Sequence, residues 1–190
     1  MKSQIRVLGV DDAPFAFKRG SVPVVGIVMR LPSYVEGVMV AECTIDGTDA
    51  NDVIERMVVM SRFYEQIKLV MVDGVALGGF NVVDISRLGA ATSIPFATVT
   101  RDPPDMAKIR SALMAHFPDW ERRLEVIQSH RLIEIPTSHK PIHVSVHGMD
   151  FADASRLIRD CTLRGNIPEP IRIAHLVASA IARGESRGRP

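Results

Sequence analysis

The chain has 190 residues, 46% of them hydrophobic and 24% charged, with a formal net charge of +1. That length can bury a sizeable core, the near-neutral balance argues against a strongly basic nucleic-acid face, and no apolar run approaches the ~20 residues that span a bilayer. The two cysteines, Cys43 and Cys161, have no CxxC spacing, so neither a disulfide framework nor a thiolate zinc site is indicated and the cytoplasm is the expected compartment.

The amino terminus, MKSQIRVLGVDD, turns acidic too early for a secretory signal. Residues 5–10 are apolar and β-branched and read as a first strand, ending on Asp11 and Asp12. Two more strands are expected over residues 22–29 (VPVVGIVM) and 35–45 (VEGVMVAECTI), with a turn at Pro32-Ser33 between them. Three strands joined by short links predict an antiparallel meander. Asp46-Gly47-Thr48-Asp49 then reads as a turn and helix cap. From Ala50 onward, Val53, Ile54, Met57 and Val58 recur at helical spacing.

A buried strand follows over residues 69–72, then a helix over 82–91, a strand over 95–99, and, after Asp102-Pro103-Pro104, a helix to about His116. Strand–helix–strand order predicts parallel strands joined by crossovers. A late short strand is expected over residues 142–146, with helices over 151–163 and 168–182. No repeat or linker interrupts residues 1–190, so a single domain is expected, with residues 183–190 as a flexible basic tail. The whole order is that of an α/β, ribonuclease H-like mixed sheet: three antiparallel strands, then parallel ones, flanked by helices.

On that topology the first strand and the strand after the first long helix lie side by side, so Asp11 and Asp73 meet at one rim. Magnesium is a hard cation that prefers carboxylate oxygens, and carboxylates at strand ends suit a metal-assisted attack on phosphate. Asp11, Asp12, Asp46, Asp49 and Asp73 all fall at strand ends or turns, and Gly74, Gly78 and Gly79 keep the backbone bare beside Asp73. Each aspartate alone has an ordinary use as a turn former or cap; the pair Asp11 and Asp73 stands apart because the topology brings it together. The run GGFNVVD offers a phosphate-cradling turn at a helix start, or tight packing with Asn81 as the helix cap. His139, His143 and His147, spaced by four, read either as one half-exposed strand face or as a transition-metal site. Arg122-Arg123 and the arginines of residues 183–189 could grip a nucleic-acid backbone, with Trp120 or Phe117 stacking a base; a solvated helix face over a buried aromatic is the plainer alternative.

RVLGVDDAPF, LVMVDGVALGGFNVVDISRLGAATSIPFATVTR and IPEPIRIAHLVASAI together resemble the endonuclease dU family, which is related to endonuclease V. The likeness covers nearly the whole chain. It implies a nuclease dependent on Mg²⁺ or Mn²⁺ that nicks DNA near a deaminated base, deoxyuridine foremost. By the resemblance, Asp11 matches the aspartate of a Gly-Val-Asp motif and Asp73 that of an Asp-Gly motif. The family's middle glutamate has no clean counterpart; Asp46 and Asp49 are nearest, with Asp52 and Glu42 also open. Arg101 falls where endonuclease V has a lysine near the scissile phosphate, though with forked rather than point-charge geometry. His147-Gly148 stands one position out of register with a Gly-His pair of endonuclease V, and Pro32-Ser33-Tyr34 only echoes its base-wedge turn. The alternative function is a nucleic-acid or nucleotide-binding module that keeps the fold without the chemistry. A homodimer is compatible with either.

Overall fold

β1 (Arg6–Asp12), β2 (Ser21–Arg30) and β3 (Tyr34–Thr44) form the antiparallel meander, Gly9 pairing with Ile27 and Gly26 with Met39. The computed structural model describes residues 5–16 and 20–186. β4 (Ile67–Asp73) runs parallel to β1, and β7 (Phe96–Thr100) parallel to β4. β9 (Ile142–His147) turns back antiparallel to β7, and β8 (Ile133–Ile135) closes the far edge. The seven strands lie in the order β3-β2-β1-β4-β7-β9-β8, with a small hairpin of β5 (Ala76–Leu77) and β6 (Asn81–Val82) alongside. This is the expected ribonuclease H-like mixed sheet, extended by two antiparallel strands.

The central strands are apolar on both sides because helices cover both faces. On one face lie α1 (Ala50–Val59) and α2 (Ile85–Thr92), sealing Leu8, Val10, Val70, Val72 and Phe96. On the other, α5 (Phe151–Asp160) and α6 (Glu169–Arg183) seal Val7, Leu69, Met71, Ala97 and Val99. α3 (Met106–His116) and α4 (Trp120–Ser129) build a third apolar cluster around Leu113, Leu124 and Ile127 under the hairpin. Gly9 is the point of closest approach between layers: a Cβ there would run into the backbone of Pro170 and Ile171 at the start of α6. No helix among the described residues is long and apolar enough to cross a membrane.

Several expectations are corrected. The helix predicted from residue 82 starts at Ile85, because Asp84 rather than Asn81 caps it, accepting the N–H groups of Ser86 and Arg87. Residues 76–82 form the hairpin, so Gly78 and Gly79 turn a β-ribbon and do not open a helix; their φ angles of +53° and +91° are ones that side chains rarely adopt. α4 and β8 form where the sequence pattern predicts no element. Trp120 and Phe117 pack half-buried against the third cluster, Phe117 edge-on to Phe80 with ring centroids 5.6 Å apart and with the Arg123 guanidinium over its ring. Of the expected basic tail, Arg183 ends α6 and Gly184 caps it in the left-handed conformation, while residues 187–190 lie outside the described residues.

Candidate active site

Side chains alternate faces along a strand, and Gly9 faces α6, so Asp11 faces α6 too while Asp12 faces the hairpin side. The β1–β4 pairing ends at Val10 with Val72, which puts Asp11 beside Asp73 at the next position. Asp73 in turn pairs with Val99, two residues before Arg101. One rim of the sheet therefore gathers Asp11, Asp73 and Arg101 on the α6 face. From α6 itself comes His175, whose Nδ1 lies 2.9 Å from Asp11 Oδ2. The other oxygen of Asp11 accepts the N–H of Asp12 at 2.8 Å.

Burial dominates the electrostatics of this rim. It pushes the Asp11 carboxyl up to about 9, with the neighbouring charges of Asp73 and Asp12 adding to the shift and the Asp12 N–H and Arg101 opposing it. Asp73 is pushed up to about 6, again by burial first, with Arg101 pulling the other way and Asp12 adding to the rise. His175 is held below its ordinary value by burial and by the charges of Arg101 and Arg183. Two acids are thus held together where neither is well solvated, with Arg101 as the cation that acts on both.

The remaining acids serve the neighbouring turns. Asp12 is raised by burial and accepts the N–H of Gly78 at 3.0 Å. Asp46, at a φ of +56°, accepts the N–H of Phe80 at 2.9 Å, and its carboxylate fills the space a Gly79 side chain would need. Asp49 sits at the cap position of α1 without capping it; its oxygens take the Thr44 N–H and hydroxyl and the Asn81 amide. Burial raises the Asp49 carboxyl, but these bonds outweigh burial and hold it below its ordinary value. Asn81 supplies the missing cap, its Oδ1 accepting the Ala50 N–H while its amide also reaches the Thr44 carbonyl. Fully buried and spent on these bonds, Asn81 is not placed to hold phosphate. Arg123 is likewise committed, to Asp119 and to the carbonyls of Gly47 and Phe80, and so grips no nucleic acid.

Other sequence candidates lie elsewhere. His147 pairs with Phe96 at the start of β7, the end of the sheet opposite the carboxylates, where it packs on Gly89 of α2. Tyr34 pairs with Arg30 at the same far end and lies exposed under the Arg30 guanidinium, so it is no wedge beside Asp11. His143 faces Glu134 across β8, and His139 lies in the turn before β9. Among the described residues, no group of three or more His, Cys, Asp or Glu side chains is gathered for a metal. The donor set is the acidic pair. Such a pair still fits a magnesium-type ion, which keeps several waters and is commonly held by one or two carboxylates, and it would cancel the repulsion that burial concentrates here. His175 lies 164 positions from its partner, and its one signal in the sequence is the run IPEPIRIAH that carries part of the family likeness.

Residues 3–182 match the family described as Endonuclease dU. The chain belongs to that family. A UPF0215 protein from Methanosarcina acetivorans is 45% identical over all of this chain and 96% of its own length. A crystal structure from Archaeoglobus fulgidus, of a protein of unknown function, superposes with a TM-score of 0.84 at 40% identity, covering 93% of this chain and 98% of that one. Endonuclease V from Ciona intestinalis, solved with an inosine-containing 24mer DNA, superposes with a TM-score of 0.60 at 14% identity, covering 90% and 82%. The Endonuclease dU chain thus has an endonuclease V-like fold.

Proposed function

We propose that this Endonuclease dU member is a metal-dependent endodeoxyribonuclease of repair type that nicks DNA near a deaminated base, with deoxyuridine as the foremost substrate. The observation that carries the reading is the acidic pair, buried Asp11 and half-buried Asp73, at adjacent strand ends with Arg101 beside them. Fold and family membership support it. Asp11 and Asp73 would hold Mg²⁺ or Mn²⁺. A divalent ion bound there supplies Lewis-acid stabilisation of phosphate charge and a water of lowered pKa.

The chain's own groups do the rest. His175 fixes the orientation of the Asp11 carboxyl. Arg101 offers a fork of N–H donors to a phosphate oxygen. Gly74, at a φ of +71°, leaves the backbone low where a strand of DNA would approach Asp73. Asp12, Asp46 and Asp49 hold the turns beside the rim, so the reading assigns ion binding to Asp11 and Asp73.

Nicking of a deoxyuridine-containing oligonucleotide should require Mg²⁺ or Mn²⁺ and cease with EDTA. Asp73→Asn should abolish it. The same variant should melt higher than wild type in metal-free buffer, by about 2–4 °C for each kcal/mol of repulsion and desolvation relieved. Cleavage that persists in EDTA sinks the proposal. A second reading, a binding module without chemistry, draws on the donor set being a pair, with no group of three donors gathered among the described residues. Oligonucleotide affinity without nicking, and indifferent to Mn²⁺, would favour it.

A further inference from the structure

The acid rim offers a place for a phosphate but none for the base that the phosphate carries. Unpaired bases are held largely by stacking on aromatic side chains. Among the described residues only two aromatic side chains are exposed, Tyr34 at 61% and Phe15 at 40%. Tyr34 lies at the far end of the sheet beneath Arg30. Phe15 follows Asp12 by three residues, a length of chain that reaches no further than ~11 Å.

Phe15 is open to solvent but anchored. Ala13 donates its N–H to the Pro23 carbonyl at 2.8 Å, and the ring of Pro14 fixes φ at the next position. The tip of the Phe15 ring leans on the glycine turn of the β5–β6 hairpin: a Cβ on Gly79 would stand 3.6 Å from Phe15 Cζ. That turn is itself pinned from both sides, Asp12 accepting the Gly78 N–H at 3.0 Å and Asp46 the Phe80 N–H at 2.9 Å. Gly78 and Gly79 put no side chain over the ring. A ring fixed before its partner arrives loses little freedom on binding. We infer that Phe15 is the platform on which an unpaired base stacks, in the DNA strand whose phosphate meets Asp11 and Asp73. The inference rests on the nuclease reading for the place of that phosphate. Asp11 faces α6 whereas Phe15 touches the hairpin, so phosphate and base straddle the end of β1. The base has to come from a single strand or be turned out of a duplex. Stacking accepts every base, so Phe15 positions the base and does not choose it.

A short strand of deoxyuridines and a strand of equal length with an abasic analogue at every position share one backbone and differ only in having bases. Anisotropy titrations of both, with the full chain carrying Asp73→Asn so that neither is cut, separate the two contributions. Adding Phe15→Ala should weaken binding of the deoxyuridine strand by roughly 5- to 150-fold, the range that one stacked base supplies. Affinity for the abasic strand should stay as it was, and Phe15→Trp should restore the loss. Because Phe15 is exposed, circular dichroism and melting temperature should match those of the parent. Phe15→Ala that weakens both strands equally, or neither, overturns the inference, and so does a parent that binds the two strands alike. None of these results touches the nuclease reading, which stands or falls with metal-dependent nicking by the wild type.

Discussion

His130 presents the residue-scale problem that the rim acids present, with the charge of Asp84 answering it only in part. It caps the end of α4 with only 8% of its surface exposed, and neither ring nitrogen has a hydrogen-bond partner. Burial holds it below its ordinary value, with the charge of Asp84 opposing the shift. A histidine with a lowered folded value binds its proton more readily once the chain unfolds, so the folded protein is favoured above the unfolded value of about 6.5 and loses stability as pH falls from there toward the folded value. Unfolding free energy should therefore drop with acid by up to about 1.4 kcal/mol per pH unit across that window. His130→Leu should flatten that slope in denaturant titrations run between pH 7 and about 5. An unchanged slope would mean that the imidazole is already paired. At Asp11 the same physics acts in the opposite direction, since burial raises an acid and lowers a base. There two acids stand where a cation could satisfy both, and under the proposed function they are its metal-binding pair.

At the scale of elements, α6 shows why a site can be half legible. The sequence marks Asp11 and Asp73 because each ends an apolar strand, and strand order alone then makes them neighbours. It cannot mark His175, since that contact depends on how α6 crosses β1, and the crossing is set by Gly9. Alanine at position 9 would drive its methyl into the Pro170–Ile171 backbone. Overpacking of this kind costs about 1–3 kcal/mol, and the helix can yield only by lifting or sliding, which moves His175 off Asp11. Gly9→Ala should lower the melting temperature by roughly 2–4 °C per kcal/mol and should reduce nicking by more than the loss of folded protein at assay temperature accounts for. Equal losses of both would make Gly9 a packing residue alone. The hairpin of residues 76–82 is hard to read in the sequence for a different reason: its glycine turn stands only a few residues ahead of the Asp84 cap, so strand and helix signals overlap. α4, WERRLEVIQS, is mostly polar outside Leu124 and Ile127, and β8 is too short to show a period.

For the whole molecule, the chain's charge is divided unevenly, −2 over residues 1–100 and +3 over 101–190. The sheet reunites the two halves, because β4 and β7 are adjacent and bring the acid Asp73 against the base Arg101. That fold-level placement would make a cation and phosphate site from a nearly neutral protein without a basic face. Several of the other arginines are already paired: Arg6 and Arg30 with Glu36, Arg87 with Asp52, Arg123 with Asp119, Arg156 with Asp153 and Arg172 with Glu169. DNA affinity should then depend on few phosphate contacts. Each neutralised phosphate adds about −0.9 to the slope of log affinity against log salt, so a site of this kind should give a slope of about −3 or shallower, against roughly −5 to −9 for a protein that grips six to ten phosphates. Anisotropy titrations of a deoxyuridine oligonucleotide with the Asp73→Asn protein, which cannot consume its ligand, measure that slope directly. A steep slope would mean that a broad basic surface binds the backbone, and the search for the DNA path would have to move away from the carboxylate rim.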